Sequence, residues 1–235
     1  MEYMKSILLK SIDGTRKRLR LRENFNSFFY HSKWKRVMHD IASIKSDNFT
    51  IISSNCIAGM VYQGLNLKYL TPTVGCFFYA PCFLKFVYNL RTYIDMPMEA
   101  ITETQYLIAE DRRNANNNFY PIGRLGDIEV HFFHYNSFEE AKEKWQRRCE
   151  RINWNNLYFT FTDRDLCTYE HLLKYDSLSG KKKVCFTAKR YDGIKSVCQI
   201  SHYKNKAYVG DLVTERHVLD SVFSFKHFID KLISP

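Results

Sequence analysis

No uninterrupted apolar run in this chain approaches the roughly 18 residues that a bilayer-spanning helix needs. The opening stretch MEYMKSILLKSIDGTRKRLRLR is too briefly apolar for a secretory leader and has no small-residue cleavage site. Both absences lead to the expectation of a cytoplasmic protein. No C-x-x-C pair occurs among the seven cysteines (Cys56, Cys76, Cys82, Cys149, Cys167, Cys185 and Cys198), an odd set that suits neither a disulfide framework nor a zinc knuckle. Reduced, buried and inert thiols are the ordinary reading of such a set. The sequence also lacks a G-x-S-x-G elbow, an H-E-x-x-H pair, a G-x-x-x-x-G-K-[ST] loop and a G-x-G-x-x-G turn, which removes the familiar hydrolase, metalloprotease, P-loop and dinucleotide-binding signatures. Zinc-finger spacing and an RNP aromatic signature are missing too, which ranks nucleic acid last among phosphate-bearing partners. Neither an internal repeat nor a low-complexity linker is present.

What is present can build a full core. Hydrophobic residues make up 45% of 235 positions and aromatic ones 16%, with Phe 18 and Tyr 16, so one α/β domain has ample material to bury and no disorder signature. The formal charge of +10 is clustered at Arg16, Lys17, Arg18, Arg20 and Arg22, at Arg147, Arg148 and Arg151, at Lys181, Lys182 and Lys183, and at Lys189 and Arg190. Such clusters attract phosphate, whether on nucleic acid, an anionic leaflet, a lipid-linked diphosphate or a nucleotide sugar.

Periodicity gives the organisation. Trp34, Val37, Met38 and Ile41 recur at helical spacing before Ser46-Asp47-Asn48, so residues 1–47 read as an N-terminal helical extension and 48–235 as a single α/β domain. A strand begins at Phe49, Ile57 to Leu65 is a short helix, and Pro81 opens a helix with Phe83, Phe86, Val87, Leu90 and Ile94 on one face. Gln105 to Ile108 reads as a strand and Asp111 to Asn118 as a polar loop. Ile128, Val130 and Phe132 alternate with Asp127, Glu129 and His131, as in a strand with one wet face. Ser137, with Glu140 three residues on, opens an amphipathic helix supported by Glu140–Lys144 and Glu143–Arg147 pairs. Leu157–Thr162 and Val184–Ala188 are strands around a short helix at Thr168–Leu173. Ser196–Val209 reads as a β-rich excursion turning at Lys204-Asn205-Lys206, and Val218 to Leu232 as a closing helix. Alternating strands and helices predict a three-layer α/β/α fold with a mixed, largely parallel central sheet.

Three clusters could carry chemistry. Ser53-Ser54-Asn55-Cys56 falls where a strand feeds a helix, the place where open α/β sheets bind ligands. Cys56 is there a candidate nucleophile, and Ser54 and Asn55 are candidate donors to a sugar hydroxyl or phosphate; a helix cap with an inward thiol is the plainer alternative. Asp163-Arg164-Asp165 follows the strand LYFTFT, and such D-x-D carboxylates serve many sugar transferases in holding Mg²⁺ or Mn²⁺ on a nucleotide diphosphate, although capping by either Asp is the commoner role. Asp127 and His131, with His134 beyond, share a strand and could act as acid and base, against the background that any half-exposed strand alternates in this way. Lys189 and Arg190 close another strand, at a sheet edge where they could neutralise phosphate.

The strings IISSNCIAGMVYQGLNLKYLTPTVGCFF, YPIGRLGDIEVHFFHYNSFEEAKEKWQRRCERINW, DRDLCTYEHLLKYDSL and KKKVCFTAKRY, in this order, make the chain resemble a bacterial family of unknown function found among capsular and exopolysaccharide biosynthesis proteins. In that pattern two glycines usually follow the cysteine, where this chain has Ala58-Gly59, and a glycine commonly follows D-R-D, where it has Leu166. The resemblance implies a polysaccharide context and no defined reaction; Asn55, Cys56, Thr73, Asp127, His131, His134, Asp163 and Asp165 are its matched motif positions. The expectation is a transferase that moves a glycosyl or related group from a nucleotide sugar or other phosphate-activated donor to a saccharide acceptor. The alternative is a non-catalytic saccharide-binding or assembly protein, held at an anionic membrane beside the polysaccharide machinery by its basic N-terminal run.

Overall fold

A computed structural model describes residues 49–115, 119–215 and 218. The N-terminal extension, with its basic run, and the closing helix beyond Val218 lie outside the described residues.

Four strands, β1 (Thr50–Ser53), β5 (Leu157–Thr162), β6 (Lys182–Thr187) and β7 (Val197–Gln199), form one sheet in the order β1-β5-β6-β7. Every pairing in it is parallel, with Ser53 opposite Thr160, Thr162 opposite Phe186 and Phe186 opposite Cys198. Parallel strands are covered on both faces, and these residues divide accordingly. Ile52, Phe159, Phe161 and Cys185 enter one apolar cluster, while Ile51, Tyr158, Val184 and Phe186 enter another.

The first face carries α2 (Ala80–Tyr88), α5 (Phe138–Cys149) and α6 (Tyr169–Asp176). Phe83 of α2 stacks on Phe161 at 5.4 Å, and Phe78 stacks on Phe86 at 5.1 Å beside Trp145. The second face carries α1 (Ile57–Gly64), whose Tyr62 stacks on Phe49 at 5.6 Å, together with Ile200, Tyr203, Val209 and Leu212 from the chain after β7. This arrangement is the expected α/β fold with a largely parallel sheet.

Between β1 and β5 the chain inserts α3 (Leu90–Asp95), α4 (Leu107–Ala115) and a second, antiparallel sheet of β2 (Glu99–Ile101), β3 (Ile122–Leu125) and β4 (Ile128–His131), in the order β2-β3-β4. A bridge between Phe77 and His131 hangs this sheet on the connection that follows α1.

Several local readings change. Gln105–Ile108 is no strand: Thr104 and Gln105 bind the Glu129 carboxylate, and α4 starts at Leu107 and takes in Asp111–Ala115 of the supposed loop. The predicted hairpin over Ser196–Val209 is instead a strand, β7, added in parallel to β6, and a 3₁₀ turn at Ser201–Tyr203. Strand β4 has no wet face, because all four of its residues are buried. Helix α5 forms as its sequence signals: the Glu140 N–H donates to the Ser137 hydroxyl at 3.1 Å, the Asn136 N–H donates to the Glu140 carboxylate, and Lys144 and Arg147 pair with Glu140 and Glu143.

Phe161 is 1% exposed between Phe83 and Tyr175. Phe161→Ala is therefore expected to lower stability by about 3–5 kcal/mol in chemical denaturation, the usual cost of an aromatic cavity; a loss below about 1 kcal/mol would contradict this packing.

Candidate functional site

Both β1 and β5 end at the same rim of the parallel sheet, and each end is locked by its own short-range chemistry. After β1, the Ser54 N–H still donates to the Thr160 carbonyl at 3.0 Å, and the chain then turns on Asn55, whose Oδ1 accepts from the Ile57 N–H at 3.1 Å and from the Ser53 hydroxyl at 3.3 Å. These bonds occupy the amide oxygen and leave its NH₂ for the space beyond. After β5, the Asp163 carboxylate turns inward and accepts from Ala188 N–H at 2.7 Å and Val209 N–H at 2.8 Å. Arg164 and Asp165 are thereby carried outward. Asp165 and Leu166 both adopt positive φ, 53° and 66°, a strained pair for residues with side chains. The Ala80 N–H donates to the Asp165 carbonyl at 2.8 Å and holds the strained turn against the start of α2.

Between these two ends opens a pocket of about 480 Å³. Its polar lining is Asn55, His134, Arg164, Asp165, Asp211 and Thr214, and its aromatic wall is Phe77 and Phe133. Arg164 donates to the Gly210 carbonyl at 3.0 Å, with its Nε 4.0 Å from the Asp165 carboxylate, so the guanidinium ties the 210–214 loop to the rim. That loop is self-capped: Asp211 accepts from Val213 N–H at 3.0 Å and from the Thr214 hydroxyl at 2.7 Å. His134 is placed by its N–H, which donates to the Gly75 carbonyl at 3.1 Å. Gly75 has φ +75°, and a Cβ there would come within 2.8 Å of the Tyr135 ring, so the turn that seats His134 requires glycine.

Of the residues singled out in the sequence, Asn55, Cys56, His134 and Asp165 line this pocket. The others are placed elsewhere. Cys56 itself does not fit a nucleophile: its thiol donates to the Cys76 carbonyl, and burial, with the Asp211 charge, pushes it up to about 11. Asp127 sits at the turn between β3 and β4, exposed, bound by Lys85 at 2.7 Å and by the Tyr93 hydroxyl at 2.6 Å. His131 is fully buried, stacked on Phe77 at 4.9 Å with Tyr79 and Tyr120 around it, so no substrate reaches it. Thr73 and Ser54 are also buried, and Thr73 accepts from the Ser53 N–H to hold β1 in place. Lys189 and Arg190 are exposed beyond β6, with Arg190 paired to Asp192.

The two carboxylates of the D-R-D element diverge, Asp163 onto backbone N–H groups and Asp165 into the pocket, so they do not fit a D-x-D cation site. No group of three or more His, Cys, Asp or Glu side chains suited to a metal occurs among the described residues. Sequence reasoning missed Arg164, Phe77, Phe133 and the 211–214 loop. Arg164 was visible inside the motif and Phe133 beside His134, but nothing local announces that residues 211–214 fold back across the rim.

A buried pair stands behind the aromatic wall. His131 Nε2 lies 3.3 Å from Glu129 Oε2, outside hydrogen-bond alignment. Burial lowers the His131 imidazole below its free value of 6.5, with Glu129 opposing. Burial alone would raise the Glu129 carboxyl, but His131, the Thr104 hydroxyl and the Gln105 N–H hold it below 4.5. Both groups bind protons more weakly in the folded state, so the stability they contribute is present above those free values and is lost as pH falls, first below 6.5 and then below 4.5. His131→Phe is expected to flatten the upper part of this decline in melting temperature against pH; an unchanged slope between pH 6.5 and 5 would contradict the neutral, buried imidazole.

Residues 27–230 match a family described as a domain of unknown function (DUF1919). An uncharacterized protein of Haemophilus influenzae is 32% identical over 169 residues, which cover 72% of this chain and 76% of that protein. Among the described residues no helix is long and apolar enough to cross a membrane.

Proposed function

The chain belongs to the DUF1919 family, and within it we propose that this protein is a transferase of capsular or exopolysaccharide biosynthesis, moving a glycosyl group from a phosphate-activated donor to a saccharide acceptor in the pocket at the ends of β1 and β5. The observation that carries the reading is the lining: a carboxylate (Asp165), a guanidinium (Arg164), an amide NH₂ (Asn55) and an imidazole (His134) face one space with two aromatic rings. Sugars offer that complement, hydroxyls for the polar groups and C–H faces for the rings. The volume of about 480 Å³ suits a mono- or disaccharide unit with its phosphate. The polysaccharide context rests on the motif resemblance.

In the proposed step the acceptor hydroxyl gives its proton to Asp165 as its oxygen bonds to the donor's anomeric carbon. The bond from that carbon to the phosphate oxygen breaks, and the phosphate leaves with the electron pair, its charge met by Arg164. His134 and Asn55 orient hydroxyls, and Phe133 with Phe77 holds a ring face. No step passes through a metal, since Asp163 is committed to the backbone.

A second reading, saccharide binding without turnover, is favoured by that same commitment, because the D-R-D element does not assemble the two-carboxylate cation site of many sugar transferases.

A thermal-shift panel of nucleotide sugars tests the proposal. A ligand at a hundredfold over its Kd adds about 2.7 kcal/mol, roughly 5–10 °C for a domain of this size, and the shift is expected with or without Mg²⁺ or Mn²⁺. Asp165→Asn is expected to retain that shift while transfer falls by about 10²-fold or more, and Phe133→Ala to weaken the shift itself. Binding by the wild type with no transfer to any saccharide would select the non-catalytic reading; no shift with any nucleotide sugar would sink the transferase, and no shift with free saccharides either would sink both.

A further inference from the structure

The basic run Lys181-Lys182-Lys183 is not absorbed by the pocket above, and its three members have different fates. Lys183 donates to the Leu178 carbonyl at 2.6 Å and Lys182 to the Asn156 side chain at 3.3 Å. Lys181 instead lines a second cavity, of about 400 Å³, at the start of β5 and β6, the opposite end of the sheet from the candidate active site. Arg91, Asn89 and Thr92 supply its other polar groups, and Trp154, Leu157 and Phe159 are part of its apolar wall. The Arg91 guanidinium lies 4.0 Å from the centre of the Trp154 ring.

Among the described residues no carboxylate lines this cavity. Among the described residues neither Arg91 nor Lys181 is within ion-pairing distance of an acidic side chain; the remaining contact of Arg91 is the aromatic face. Two cations facing one partly apolar space with no counter-charge among the described residues create a positive potential that an anion would relieve, and a guanidinium resting on an indole is already oriented to present its N–H edge to a phosphate oxygen.

We propose that this cavity binds a phosphate ester, its phosphate between Arg91 and Lys181 and its carbon skeleton against Trp154 and Leu157. The site is separate from the proposed sugar pocket and does not rest on that reading. The phosphate could be carried by a free metabolite or by a lipid headgroup, which offer the same chemistry to these side chains.

Tryptophan fluorescence of the full chain during titration tests it, because a phosphate on Arg91 and a carbon skeleton against the indole change the surroundings of Trp154 and so its emission, and Trp154→Phe identifies the responding residue. One arm uses glycerol 3-phosphate; the other uses phosphatidylglycerol vesicles against phosphatidylcholine vesicles. Saturable change is expected in at least one arm, and which arm responds identifies the source. Arg91→Gln and Lys181→Gln are each expected to weaken the response about tenfold or more, with melting temperature unchanged because both side chains are exposed. Phe133→Ala, in the other pocket, should leave it untouched, so failure at one site is distinguishable from failure at the other. No saturable response in either arm at millimolar ligand, or a response indifferent to both charge removals, overturns the proposal.

Discussion

One buried carboxylate organises the rim on which the functional reading depends. Asp163, 8% exposed, accepts the Ala188 and Val209 N–H groups, while its own N–H donates to the Phe186 carbonyl at 3.1 Å. Burial raises its carboxyl above the usual carboxylate value, and the two backbone donors offset only part of that rise. Burying a carboxylate costs several kcal/mol, and charge-assisted bonds of about 1.5–3 kcal/mol each offset much of that. What the exchange secures is position: the ends of β5 and β6 and the chain at Val209 are tied at one point, and the next two residues have a fixed exit.

From that exit the remaining geometry follows by contact. Arg164 reaches the Gly210 carbonyl, Asp165 accepts from Ala80 through its backbone, and the turn is forced through two consecutive left-handed residues. Leu166 occupies the position where the resembled family pattern has glycine, and its φ of 66° explains why glycine would suit it. Strain of this kind, on the order of 1–3 kcal/mol per residue, persists only where its surroundings determine the backbone. Here those surroundings are the Asp163 clamp on one side and α2 on the other.

The parts of this fold legible in the sequence are those whose causes are local. Ser137 and Glu140 announce α5 because a cap and its partner lie within one turn; LYFTFT and KVCFT announce β5 and β6 because strands buried on both faces run to aromatic and β-branched residues, threonine included, without an alternating charged face. The losses are non-local. Val197–Gln199 becomes a parallel strand only because β6 lies beside it, and Glu99–Ile101 is too short to show any period. The same division runs through the site. Asn55, His134 and Asp165 were reachable from motif position alone. Asp163 and His131 looked equally functional, since a buried clamp and a pocket residue carry the same side chains; only burial and partners tell them apart. Residues 211–214 reach the rim across the gap in sequence from Arg164, a closure no local pattern encodes.

Whether the polar tips of β1 and β5 form the proposed saccharide site is read most plainly from a crystal structure of the protein soaked with a nucleotide sugar. Density for the sugar is expected against Phe77 and Phe133, with hydroxyls on Asn55, His134 and Asp165 and phosphate toward Arg164. Ligand density at another surface, with that pocket filled only by solvent, would contradict it.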